Sequence, residues 1–174
     1  SAAWAKEAEK RGLNNFRRTP DAIGHLVAKD NIALFDKYKV LSSKETHSRY
    51  EIFKEEYHKK LKIEGQMAVS IVTTMIMPAA VQQVNRLAET VAKMNAVGAK
   101  AGAKEIKLAL DATGKLIENI AAAVKLLEKE VEADRPEKIA DRLVPLRAAV
   151  DELEGQIDDE IWPLAKYSEL LFIY

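Results

Sequence analysis

The sequence predicts an all-α protein: an elongated up-down helical bundle built on one very long helix (about residues 43–96), with small N-terminal helices packing on its stem. Apolar residues make up 48% of the chain and charged residues 31%, but aromatics only 6%, a composition that suits a bundle better than a sandwich or barrel. Large apolar side chains recur three and four positions apart over long stretches, the period of a helix with one buried face. The breaks between those stretches carry cap residues, prolines or glycines, the ordinary punctuation of helix ends. With 174 residues the chain is long enough for a real core and is read as a single helical domain, 1–174.

The long helix opens on Ser42 with Glu45 three residues later, a spacing in which each side chain satisfies an orphan N–H of the first turn. Its apolar positions are read as Tyr50, Phe53, Tyr57 and Leu61 in the stem, then Met67, Ile71, Met75, Ala79, Val84, Leu87, Val91 and Met94. At 1.5 Å per residue it would be roughly 75 Å long, too long to be all core. Ahead of it, residues 1–41 form short capping helices. Residues 1–11 form a helix that buries Trp4, Thr19-Pro20 caps and starts one that runs to about Lys29, and Asp30 or Asn31 caps a third that buries Ile32, Leu34, Phe35 and Tyr38.

After the long helix, the segment 95–103 holds Gly98 and Gly102 and reads as a turn. The second bundle helix, 103–133, has the clearest seam: Ile106, Leu110, Thr113, Ile117, Ile120, Val124, Leu127 and Val131, alternately four and three apart. A cap and Pro136 open the third, 136–162, with Ile139, Leu143, Leu146, Val150, Leu153, Ile157 and Ile161 on its seam. Pro145 costs about 3 kcal/mol inside a helix. Burial of six or seven large side chains at roughly 1.5–3 kcal/mol each outweighs it, so a kinked helix is expected, not two short ones. The tail 163–174 ends too apolar to float free and is expected to dock.

Lysine plus arginine and aspartate plus glutamate balance at 27 each, which favours neither nucleic acid nor an anionic membrane as partner. There is no cysteine, so disulfides, thiol catalysis and the common structural zinc sites are excluded, and a cytoplasmic setting is expected. No apolar run is read as approaching the ~20 residues a bilayer needs. The opening Ser1-Ala2-Ala3, without methionine, suggests a piece of a longer polypeptide.

Chemistry is sparse. Glu55 and His58 have the Glu-x-x-His spacing of di-iron bundles, but the later helices supply no histidine to complete such a site, so a solvated stem face is expected. His25 and His47 read as cap or surface residues. Lys59, Lys60 and Lys62 form a small basic patch whose expected role is intrahelical pairing, Glu55 with Lys59 and Glu56 with Lys60. Met67, Met75, Met77 and Met94 read as core filler near a kink at Pro78. No phosphate-cradling glycine loop or Ser/His/Asp set is present, and no catalytic, cofactor-binding or metal residue is assigned.

Several strings are more specific. Arg11-Gly12-Leu13-Asn14-Asn15, Thr19-Pro20-Asp21-Ala22, Leu34-Phe35-Asp36-Lys37-Tyr38, Ser48-Arg49-Tyr50-Glu51-Ile52, Met77-Pro78-Ala79-Ala80, Leu143-Val144-Pro145, Asp151-Glu152-Leu153-Glu154 and Trp162-Pro163 before Tyr167-Ser168-Glu169-Leu170-Leu171-Phe172 stand in order along the chain. Together they resemble the C-terminal region of type III glutamine synthetases over nearly its whole length. Two positions depart: Asn14 where that family has proline, and Gly65 where it has alanine, a change expected only to loosen the helix by ~1 kcal/mol.

The resemblance implies a parent enzyme that makes glutamine from glutamate, ammonia and ATP with divalent metal (Mg or Mn) in a two-ring oligomer. No ATP, metal or substrate ligand falls within this segment. Its implied partners are the upstream catalytic domain and neighbouring subunits of a homo-oligomer, with no nucleic acid and no membrane. The implied role is non-catalytic: supporting oligomer assembly, or shielding or regulating the catalytic ring. Two other readings remain open from the residues alone, a free-standing helical adaptor that binds a partner through its long-helix stem and a metal-binding helical enzyme.

Overall fold

The computed structural model describes residues 2–165 and 167–171. Among these there is no strand, and the helices are α1 (Ala2–Lys10), α2 (Thr19–Ile23), α3 (Lys29–Lys37), α4 (Ser43–Ile71), α5 (Met77–Ala96), α6 (Lys100–Glu132), α7 (Pro136–Glu154) and α8 (Tyr167–Leu171). A π-helical turn, Val72–Ile76, joins α4 to α5, so helix is unbroken over Ser43–Ala96. The chain divides into two compact units, Ser1–Lys60 and Leu61–Tyr174.

In the first unit the expected capping box forms. The Ser42 backbone N–H donates to Glu45 Oε2 at 2.8 Å, and the Glu45 N–H donates to Ser42 Oγ at 3.3 Å. The Ser42 hydroxyl and backbone bonds hold the Glu45 carboxyl below the ordinary carboxylate range. A depressed folded pKa stabilises above the unfolded value and is lost as pH falls through the folded one. Protection of the amides at the start of α4, measured relative to their intrinsic exchange at each pH, should therefore hold from pH 6 to 8 and fall only below about pH 4; protection unchanged down to acid pH would remove the box.

The small helices depart from expectation in four ways. The helix opened by Thr19 closes at Ile23 and gives way to a 3₁₀ turn, Gly24–Val27, because glycine and the β-branched neighbours support no longer α-run. Thr19 is itself helical, with Arg18 at the cap and no side-chain cap bond. Asn31 does not cap α3; its Nδ2 donates to the His25 carbonyl at 2.6 Å and closes the 3₁₀ turn. Trp4 is 55% exposed, and Leu34 and Tyr38 also face outward, while the buried residues of this unit are Ala8 and Thr46. A unit this small lacks the volume to enclose large side chains, so it closes around small ones.

The second unit holds the core. Val72, Ile76 and Ala80 of the long helix meet Leu116, Ile120, Val124 and Leu127 of α6 and Ile139, Leu146 and Leu153 of α7. Ile120, Leu127, Ile139 and Leu153 are completely enclosed, as the alternate four-and-three spacing requires. Every residue of the predicted α6 and α7 seams is buried or half-buried. Three residues of α6 join the interior unforeseen: Ala103, Leu116, and Glu130, whose Oε2 lies 2.8 Å from Arg135 Nε across the turn into α7. Pro145 leaves α7 intact because it lies on the exposed side.

The long helix keeps most of the predicted stripe: Leu61 and Ala79 are buried, and Tyr50, Tyr57, Ile71, Val84, Leu87, Val91 and Met94 half-buried. Phe53, Met67 and Met75 are exposed, however, and Gly65, Val72, Ile76 and Ala80 turn inward in addition. The π turn accounts for part of the shift, since it inserts one residue and rotates all that follows by about a quarter turn. It also accommodates Pro78, whose missing N–H and bulky ring a regular turn would not tolerate. The Met77 N–H reaches back to the Val72 carbonyl. Just upstream, hydroxyls back-bond to carbonyls of their own helix: Thr73 Oγ1 donates to Val69 O at 2.8 Å, and Thr74 Oγ1 to Ser70 O at 2.6 Å.

Small residues then set the packing distance. A Cβ on Gly65 would lie 2.8 Å from Val131 Cγ2 and 2.9 Å from Ile139 Cγ2, so the long helix approaches α6 and α7 over bare backbone. The expectation that Gly65 merely loosens the helix is corrected: it is a contact point. Gly102 belongs to the first turn of α6, which starts at Lys100, and the reversal is made by Gly98 at φ +78° with the Ala99 N–H bonded to Met94 O at 2.9 Å.

Helix α7 stops at Glu154, short of residue 162. Gly155 follows, and the Ile161 and Trp162 N–H groups bond to Asp158 O instead of continuing the ladder. Ile157 and Trp162 are still buried by these turns, and Leu164 packs on the core. Of the tail, Leu170 and Leu171 are exposed, and the docking expected of residue 166 and of 172–174 lies outside the described residues. One further expectation is corrected: within Ser43–Ala96 an 18-residue window is apolar and charge-poor enough to cross a bilayer by length and composition, and only 22% of it is buried.

Candidate functional site

The motifs that could carry chemistry resolve into surface pairs. Lys59 bonds Glu55 on the next turn, and Lys60 Nζ lies 2.7 Å from Glu56 Oε1, as the four-residue spacing predicts. The Lys59 ammonium holds the Glu55 carboxyl below its ordinary value. These pairs are exposed and contribute little to stability. Lys62 does something else, reaching Asp134 Oδ1 at 3.0 Å where α6 turns into α7. Asp134 adopts φ +52° there.

The histidines are dispersed. His47 Nδ1 lies 2.8 Å from the Ser43 carbonyl, and the His25 ring stacks on Phe16 with centroids 4.4 Å apart. His58 is half-buried on α4. Among the described residues no group of three His, Cys, Asp or Glu is placed to hold a metal ion.

The densest polar cluster fastens the turn after α7. Gln83 Nε2 donates to the Gln156 carbonyl at 3.2 Å, Thr113 Oγ1 lies 3.2 Å from Gln156 Oε1, and Arg86 Nη1 binds Asp158 Oδ2 at 2.8 Å. Thr113 also donates to the Ala109 carbonyl at 2.9 Å and is almost fully buried. The bonds made here all go to backbone or side chains of the bundle itself, so the cluster is a clasp, although Gln83 Oε1 is buried without a hydrogen-bond partner. The sequence signal for it was faint: a threonine within an apolar seam and glutamines at the end of one.

Beside the clasp, α7 and the following turns enclose an open depression of about 510 Å³ between Arg147, Asp151, Glu154, Trp162 and Leu164. Ala68, Ile71, Val72, Leu143, Leu146 and Val150 line an apolar groove of about 320 Å³ between the long helix and α7. Neither contains a nucleophile next to a base, or convergent donors of the kind that stabilise a developing anion. What the molecule offers outward is apolar helix surface.

Residues 1–95, most of the long helix and all that precedes it, match the glutamine synthetase C-terminal domain family. The chain belongs to that family. It is 31% identical over 188 residues to a glutamine synthetase of Bacteroides fragilis (strain YCH46), and 29% identical over 189 residues to a type-3 glutamine synthetase of Dictyostelium discoideum. A glutamine synthetase of Butyrivibrio fibrisolvens is 28% identical over 181 residues. Each alignment covers 97–99% of this chain but 26% of the relative, so the chain spans about a quarter of the length of the curated relatives it matches. The resemblance drawn from the ordered strings is borne out, type III included.

Proposed function

We propose that this domain is a non-catalytic assembly element of a type III glutamine synthetase. The parent enzyme would join glutamate and ammonia with ATP and divalent metal, all held by polypeptide outside this segment, and the domain would support contacts between subunits of a homo-oligomer or shield its catalytic ring. The observation that carries the reading is the large apolar side chains left outward within each unit: Trp4, Leu34, Tyr38, Ile52 and Phe53 in the first, and Ile63, Met67, Met75 and Val81 on the long helix in the second. Exposed apolar surface beyond scattered single residues marks interaction sites in folded proteins. A cytoplasmic location accords with the absence of cysteine and is part of the proposal.

Two measurements test it. The 174-residue chain, supplied with glutamate, ammonia, ATP and magnesium, is expected to form no glutamine; turnover by the isolated chain would overturn the assignment of roles. The longer parent polypeptide lacking this domain is expected to elute as smaller species than the intact enzyme. An unchanged assembly size would refute the assembly role.

A further inference from the structure

No charged residue stands between Glu64 and Arg86, although charged residues make up 31% of the chain. An ordinary solvated helix face interrupts itself with charge every turn or so. Here the outward side of the long helix is uncharged for six turns. Met67, Ser70, Thr74, Pro78, Val81 and Asn85 are all exposed and recur at intervals of three or four residues, which places them in one row roughly opposite the row that faces α6 and α7. The one departure from a heptad rhythm, two successive steps of four, falls at the π turn that realigns the core row as well. The row stays straight because both faces of the helix absorb the same inserted residue.

Two features of this row specify what it meets. First, the polar group at its centre is already quenched: the Thr74 hydroxyl is bonded to the Ser70 carbonyl of its own helix, as is that of its neighbour Thr73 to the Val69 carbonyl, so they cost little to dehydrate. Second, the spacing reads the same in both directions from Thr74. Four residues either side lie Ser70 and Pro78, and seven either side lie Met67 and Val81. A helix turned about a two-fold axis at Thr74 therefore sets Met67 against Val81 and small Ser70 against Pro78 at each end. A two-fold contact needs this self-complementarity, since the same patch must serve both partners. The first charges beyond the row have opposite signs, so the antiparallel arrangement brings Glu64 to the Arg86 end of the other copy, whereas a parallel one brings like to like.

We propose that this row is a homotypic interface, an antiparallel helix pair formed with a second copy of this chain about a two-fold axis at Thr74. The inference rests on the assembly role proposed above and names the surface that performs it. Two helices in contact over ~30 Å bury on the order of 1,000 Å² in total, at the low end for a specific interface. The isolated chain should thus pair weakly, and tethering within a larger assembly should make the contact persistent.

The absence of native cysteine gives a clean test on the 174-residue chain. Thr74→Cys is expected to form a disulfide dimer about tenfold faster under mild oxidation than Lys115→Cys, on the exposed side of α6, because the pair raises the local thiol concentration. Met67→Cys alone should not cross-link, but mixed with Val81→Cys it should. Val81→Glu added to Thr74→Cys should abolish the dimer while the helical circular dichroism is unchanged. Equal rates for Thr74→Cys and Lys115→Cys, or cross-linking of Met67→Cys to itself, would overturn the proposal. So would co-sedimentation with phosphatidylcholine vesicles that Val81→Glu prevents, since the row would then be a bilayer surface. If removing the domain breaks the parent assembly yet Thr74→Cys gives no dimer, the assembly role stands and this interface falls.

Discussion

Val124→Asp is expected to abolish cooperative folding of the three-helix unit. Val124 is 5% exposed in the α6 seam, and the core around it comes from all three helices of the unit. Losing the valine forfeits roughly 1.5–3 kcal/mol of burial. The carboxylate that replaces it has no partner among the apolar neighbours and adds several kcal/mol more. A change above about 4 kcal/mol is exceptional for one substitution and comparable to the whole stability of a small domain, typically 5–15 kcal/mol. Glu128→Ala, four residues on and half-buried, should shift stability by less than ~0.5 kcal/mol. Urea titration followed by far-ultraviolet circular dichroism separates the two; similar midpoints would mean that α6 does not turn this face inward.

The second large effect is expected at Gly65, and for its smallest variant the sign is the informative part. By helix propensity alone Gly65→Ala would stabilise by ~1 kcal/mol. The added methyl, however, would meet Val131 Cγ2 at 2.8 Å and Ile139 Cγ2 at 2.9 Å, both on β-branched side chains with little rotamer freedom. Overpacking of this kind costs about 1–3 kcal/mol, so the net result for alanine is a loss of ~1 kcal/mol. Gly65→Leu, which cannot fit without parting the helices, should lose about 3 kcal/mol or more. Gly102→Ala provides the contrast, because its only close neighbour is the flexible Sδ–Cε end of Met94. Greater stability for Gly65→Ala than for the parent in denaturant would show that the helices are not held at that distance.

Much of this architecture was written locally. The capping box at Ser42 and Glu45, the seams of α6 and α7 and the Glu55–Lys59 and Glu56–Lys60 pairs all involve residues three or four apart, so one helix contains the whole pattern. Continuity through Pro145 followed from comparing its cost with the burial along α7. The ordered strings alone place the chain beside type III glutamine synthetases.

What stayed hidden depends on residues distant in sequence, or on which of two faces turns inward. Met67 and Met75 look like core by hydrophobicity, yet Gly65, Val72 and Ile76 are inside: at Gly65 the helix backbone lies so close to Val131 and Ile139 that no side chain fits, and that contact fixes which face turns inward. Trp4 and Tyr38 stay outside because sixty residues of short helices cannot surround them. Residue order along the chain thus determined which segments are helical, where they begin and what family they belong to, since those depend on neighbours within a turn or two. Only the assembled bundle decided which side of the long helix is core and which is offered to a partner, since that depends on the space left between backbones once all three helices are in place.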